Sequence, residues 1–150
     1  MTAKIISGRE VAEHILEKEL SKKVDILKAK NIIPNLVVIL VGEMKASASY
    51  VKQKEKFAEK AGIISEVRRF DSEISESDIL SEIDKINDDE LIHGVIVQLP
   101  LPDHISVAKV LNRIHPSKDV DGFTPTNVGK LFLGEDTLVS CTPKGIMQML

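Results

Sequence analysis

Leu36-Val37-Val38-Ile39-Leu40-Val41 is an unbroken run of six apolar residues, four of them β-branched. A strand with one wet face alternates apolar and polar residues, so a run without alternation predicts a strand covered on both faces, as in a parallel sheet. The run is far too short to cross a bilayer. His93-Gly94-Val95-Ile96-Val97-Gln98-Leu99-Pro100 reads as another strand, stopped by a proline that has no amide hydrogen for the ladder. Ile63 to Phe70 is predicted as a further strand.

Helical patterns separate these strands. Ser7 and Glu10 make a capping box ahead of Val11, Ile15, Leu20, Val24 and Leu27, predicting a helix from about Ser7 to Lys30 that Asn31-Ile32-Ile33-Pro34-Asn35 breaks. Gly42 ends the first strand. Ser47 or Ser49 can cap a second helix through Ala61, and Gly62 stands where a left-handed residue commonly closes one. Ser75 and Asp78 make another capping box, with Ile74 and Ile79 as a hydrophobic staple before the stripe Ile79, Ile83, Ile86. A fourth helix is predicted from about Ser106 to Ile114 and a short one from Thr126 to Leu133, ended by Gly134. Thr142-Pro143 then places an N-cap before a proline tolerated at the first helical position. Together these elements predict an α/β domain of three layers, a mostly parallel sheet covered by helices on both faces. Gly145-Ile146-Met147-Gln148-Met149-Leu150 is helical in pattern and carries no cap, which reads as a boundary within a longer protein.

The length of 150 residues suits one compact domain. A net charge of -3 with interspersed signs gives no basic stripe, which argues against nucleic acid as a partner. Met1-Thr2-Ala3-Lys4 lacks the apolar core of a secretory signal, and the single Cys141 cannot make an internal disulfide. The chain reads as cytoplasmic, with no membrane attachment. No Cys or His cluster has metal-ligand spacing, so no metal site is expected. No G-x-G-x-x-G or G-x-x-x-x-G-K-[ST] occurs, so no nucleotide has its usual cradle in these residues.

In an open parallel sheet ligands bind beyond the carboxyl ends of the strands, so the loops after Val41, Val97 and Ile114 should meet at one crevice. Tyr50 and Lys54 lie four apart on the helix after the first strand and project from one face. A lysine ammonium serves as an acid or base near neutral pH when a cleft desolvates it, and Lys54 is placed to be such a group. The alternative is that Lys52, Lys54, Lys56 and Lys60 form one solvated face. Tyr50, the one tyrosine of the chain, is a stacking platform or a core anchor. Gln98 closes a strand that is otherwise apolar and must find a partner or face a ligand. Asp119 and Asp121 lie in the long aperiodic loop from His115 to Pro125. Either could accept two hydrogen bonds from an amidine-like edge such as that of a pterin or guanine, or could cap a helix. Ser47 and Ser49 have no His and Asp arrangement to activate them. His14, His93, His104 and His115 form no ligand pattern.

Val41-Gly42-Glu43 with Ala46-Ser47-x-x-Tyr50-Val51-x-x-Lys54, then Gly94-Val95-Ile96-Val97-Gln98-Leu99-Pro100-Leu101-Pro102, then Pro116-x-Lys118-Asp119-Val120-Asp121-Gly122-Phe123 and Cys141-Thr142-Pro143-x-Gly145 closely resemble one family in order and spacing. It is the bifunctional methylenetetrahydrofolate dehydrogenase and methenyltetrahydrofolate cyclohydrolase. Lys45 and Ser140 stand where that family usually has proline, away from the catalytic set.

The resemblance implies a catalytic lysine at Lys54, assisted by Gln98, and a tyrosine, Tyr50, that stacks on the folate. It implies tetrahydrofolate contact by Ser47, Tyr50, Gln98, Leu99, Pro100 and Asp121, the last holding the pterin edge. Two reactions are implied: hydride transfer from methylenetetrahydrofolate to NADP, and hydration of the methenyl product to 10-formyltetrahydrofolate. Residues 1–140 would be the folate-binding catalytic domain and 141–150 the start of a linker helix into a Rossmann domain that holds NADP. The complete protein would be a homodimer, and these residues alone would lack dehydrogenase activity. A folate-binding module without turnover is the other reading.

Overall fold

The computed structural model describes residues 5–43 and 45–150. Met1 to Lys4, which include the start expected to carry no secretory signal, lie outside the described residues, as do Met44 and the side chains of Lys45, Ala46 and Ala48.

The sheet is β1 (Asn35–Val41), β2 (Ile64–Phe70) and β3 (Gly94–Val97), in the order β2-β1-β3 with both pairings parallel. Central β1 is the unbroken apolar run, and its Val37, Val38 and Ile39 are fully buried. Successive side chains of a strand point to opposite faces. Val37, Ile39 and Val41 therefore join one core with Ile79, Ile83 and Ile86 of α4 (Glu76–Asp88) and Val110 of α5 (Val107–Arg113). Val38 and Leu40 enter a second core with Ile96 and with Val51 of α3 (Lys45–Ala61). The expected three layers with helices on both faces are those of the structure.

Several element ends differ from the sequence expectation. The first helical stretch is α1 (Gly8–His14) and α2 (Ser21–Lys28), joined by a π-helical segment Ile15–Leu20. The Ser21 hydroxyl and amide both reach back five residues to the Leu16 carbonyl, which opens the helix there. Helix α3 begins at Lys45, so Ser47 and Ser49 lie inside it rather than at its cap. Ser75 caps α4 as expected, accepting from the Asp78 amide and donating to its carboxylate. Helix α6 (Pro125–Leu133) starts from Thr124, whose hydroxyl accepts from Asn127, and ends at Gly134. Helix α7 (Cys141–Met149) begins one residue before the expected cap Thr142, with Ser140 at the cap position and no side-chain cap bond. Strand β3 stops at Val97, although the Gln98 amide still donates to the Ile39 carbonyl. Among the described residues no helix is long and apolar enough to cross a membrane.

Candidate active site

Helix α3 sets the environment of Lys54. Ser47, Val51, Lys54, Ala58 and Ala61 recur at spacings of four and three and so share one face. That face meets the sheet, for Val51 is fully buried and Ser47, Ala58 and Ala61 are nearly so. Lys54 lies in the middle of it, half-buried, while Lys52, Lys56 and Lys60 are exposed. The solvated-face reading fails for Lys54.

The Lys54 ammonium donates to Oε1 of Gln98 over 3.2 Å. Gln98 directly follows β3, so a strand end carries its side chain. Its Nε2 donates to the Leu99 carbonyl at 2.9 Å. An ammonium on one side and a carbonyl on the other accept only one orientation of the amide, which fixes Oε1 toward Lys54. Leu99, half-buried, and Pro100, exposed, continue from Gln98 through a cis peptide bond.

Tyr50 stands one turn before Lys54 and is 64 % exposed, which excludes the core-anchor reading and leaves an aromatic face open for stacking. With Gln53, Lys54, Phe57 and Cys141 it walls a cavity of about 600 Å³ whose opposite side is Ala12, Ile15, Leu16 and Leu20. Ser47 is buried two turns before Lys54 on the same helix face.

The two aspartates of the long loop separate. Asp119 is 2 % exposed and accepts from the Thr124 amide at 2.7 Å and from Asn127 Nδ2 at 2.9 Å. Burial by itself would push its carboxyl up, but these hydrogen bonds outweigh that and hold it below the usual carboxylate range. Asp119 is therefore the structural one of the pair, holding Thr124, the residue that caps α6. Asp121 is half-buried, and burial pushes its carboxyl above the usual range; the Lys54 ammonium opposes that shift and the Asp119 charge adds to it. Cys141, at the start of α7, directs its thiol at Asp121 Oδ1, 3.9 Å away, and at the Val120 carbonyl, 3.8 Å away. Cys141 is exposed as a residue, but desolvation of its sulfur and the Asp121 charge push that thiol up, which favours the neutral donor over a thiolate.

Lys54 from the helix after β1 and Gln98 from the end of β3 thus touch, and Asp121 from the loop after α5 is close enough to feel the Lys54 charge. The sequence offered no cue for Cys141 beside Asp121, nor for Asn127 beside Asp119; both contacts join residues whose spacing follows no helical or strand period. Three of the histidines serve structure: His93 Nδ1 accepts from the Asn35 amide, His104 meets the Ile74 carbonyl and His115 pairs with Ser117.

Residues 6–121 match the family described as tetrahydrofolate dehydrogenase/cyclohydrolase, catalytic domain. The bifunctional protein FolD of Bacillus subtilis (strain 168) is 52 % identical over 150 residues, which are all of this chain and 53 % of that protein. The crystal structure of the bifunctional FolD of Campylobacter jejuni superposes with a TM-score of 0.95 at 44 % identity, over 98 % of this chain and 52 % of that one. The Trypanosoma brucei dehydrogenase-cyclohydrolase, solved with NADP cofactor and inhibitor, gives a TM-score of 0.93 at 35 % identity over 100 % of this chain and 52 % of its own. The chain spans about half the length of the curated relatives it matches. With 116 of its residues inside the matched catalytic domain, this chain belongs to the tetrahydrofolate dehydrogenase/cyclohydrolase family.

Proposed function

We propose that this chain is the folate-binding catalytic part of a bifunctional enzyme that oxidises methylenetetrahydrofolate with NADP and hydrolyses the methenyl product to 10-formyltetrahydrofolate. The observation that carries the reading is the 3.2 Å contact of the half-buried Lys54 ammonium with an oriented Gln98. In the hydrolysis, water adds to the methenyl carbon and gives up a proton; one carbon–nitrogen bond then breaks and the formyl group stays on the other nitrogen. Lys54 handles protons in these steps, with Gln98 holding its nitrogen in place. Tyr50 stacks on the folate, Asp121 holds the pterin edge, and Ser47, Leu99 and Pro100 complete the pocket.

NADP supplies the hydride acceptor when bound. The described residues do not fit as its phosphate site: the turn after β1 offers Gly42 and then an acidic Glu43, and no glycine-rich loop opens a helix among them. In this reading residues 1–140 are the folate domain, 141–150 begin the linker to a nucleotide-binding domain, and the complete protein works in the cytoplasm as a homodimer.

The test is turnover of methenyltetrahydrofolate by the full-length protein, followed by the loss of its absorbance. Hydrolysis that saturates with substrate is expected. The absence of both hydrolysis and binding would overturn the reading, and binding without hydrolysis would leave a folate-binding module.

A further inference from the structure

An aperiodic loop is mobile unless its polar groups are tied down. The loop before Asp121 is tied down on every side. The Lys118 ammonium donates to the carbonyls of Ile86, Asn87 and Asp89 at 2.6, 2.8 and 2.7 Å. That uses all three of its donors on carbonyls at the end of α4, where a helix leaves acceptors unpaired. The Lys118 carbonyl accepts from the Val95 amide of β3 at 2.7 Å. Asp119, next in the chain, is clamped between the Thr124 amide and Asn127. Asn127 in turn donates to the Pro116 carbonyl at 2.9 Å and accepts from the Thr137 hydroxyl at 2.9 Å. These partners belong to α4, β3, α6, the loop's own ends and the segment before α7.

We infer that Asp119 is a positioning residue for Asp121: its buried carboxylate, held by Thr124 and Asn127, fixes the loop so that the Asp121 carboxylate meets the folate in one geometry. The inference rests on the reading of Asp121 as the pterin-holding group. Two-point recognition of an amidine-like edge tolerates displacements of only about 0.5 Å. Lys54 and Gln98 stand on α3 and at the end of β3, outside this clamp, so opening it should weaken folate binding and leave the proton-handling pair in place.

Asp119→Asn keeps the side-chain shape and can leave its amide oxygen on the Thr124 and Asn127 donors, which both meet Oδ2. It removes the charge, however, and puts an amide donor in place of the second oxygen, which weakens the clamp. In the full-length protein the KM for methenyltetrahydrofolate is expected to rise roughly two- to a hundredfold, the range of coupling within one hydrogen-bond network, with kcat little changed. In an Asp121→Asn background the same substitution should raise KM no further. An unchanged KM, a fall in kcat alone, or the same KM factor in both backgrounds would overturn the inference. If Asp119→Asn does not fold, Thr137→Val loosens Asn127 through its Oδ1 alone and is put through the same cycle. A smaller rise in KM, absent from the Asp121→Asn background, is then expected, and the same three results would overturn the inference. Asp121→Asn by itself tests the underlying reading, because a KM that it leaves unmoved removes Asp121 from folate recognition whatever Asp119 does.

Discussion

At the scale of single residues, burial separates the candidates. Asp121 is a half-buried carboxyl whose proton affinity is raised in the folded state. A folded-state pKa above the unfolded one means that the folded form holds its proton more tightly, so this group's contribution to stability is present in acid and lost as pH rises through the folded pKa. Asp121→Asn should therefore raise Tm at pH 7, by a margin that closes in acid as the wild-type carboxyl protonates. A margin that is absent at pH 7, or that widens in acid, would contradict this. The same substitution removes the carboxylate proposed to hold the pterin, so stability and folate binding should move in opposite directions. Spacing alone left Lys54 open between a cleft and a solvated face, and it is the burial of Ser47, Val51, Ala58 and Ala61 on the same helix face that turns it inward. The different surroundings of Asp119 and Asp121 were not legible from the residues, and only the family resemblance singled out Asp121, since they rest on Thr124 further along the loop and on Asn127 and Cys141 from α6 and α7.

At the scale of elements, the non-alternating runs revealed β1 and β3, and Ser75 with Ile79, Ile83 and Ile86 revealed α4. Ile83 is fully buried in the larger core, and Ile83→Ala should cost about 2–5 kcal/mol in denaturant unfolding. The ends of α3 and α7 were less legible, because Ser47, Ser49 and Thr142 are good capping residues that the structure places inside helices. Tertiary packing against the sheet overrides that local preference in α3. Gly122 shows how the loop and the segment before α7 depend on each other. Its φ of +67° suits glycine, and a Cβ there would lie 2.5 Å from the Leu138 carbonyl oxygen. Gly122→Ala should lower the urea midpoint by the equivalent of roughly 1–3 kcal/mol and loosen Asp121 with it. An unchanged midpoint would show that the 138–140 backbone gives way without cost.

At the scale of the whole molecule, the parallel sheet delivers the chemistry to one end. Helix α3 after β1, the end of β3 and the loop after α5 bring Lys54, Gln98 and Asp121 to the same side of the sheet, as the topology of an open α/β sheet requires. The chain spans about half of its relatives, and its described residues fit no dinucleotide phosphates. Residues 1–150 supplied with methylenetetrahydrofolate and NADP should accordingly form no NADPH; its appearance would mean that the cofactor site lies within this chain. The most direct measurement is methenyltetrahydrofolate hydrolysis by the full-length protein carrying Lys54→Met, with folate binding measured alongside. If Lys54 is the proton-handling group, kcat should fall on the order of a hundred- to ten-thousandfold while folate still binds. Hydrolysis within a fewfold of wild type would contradict it.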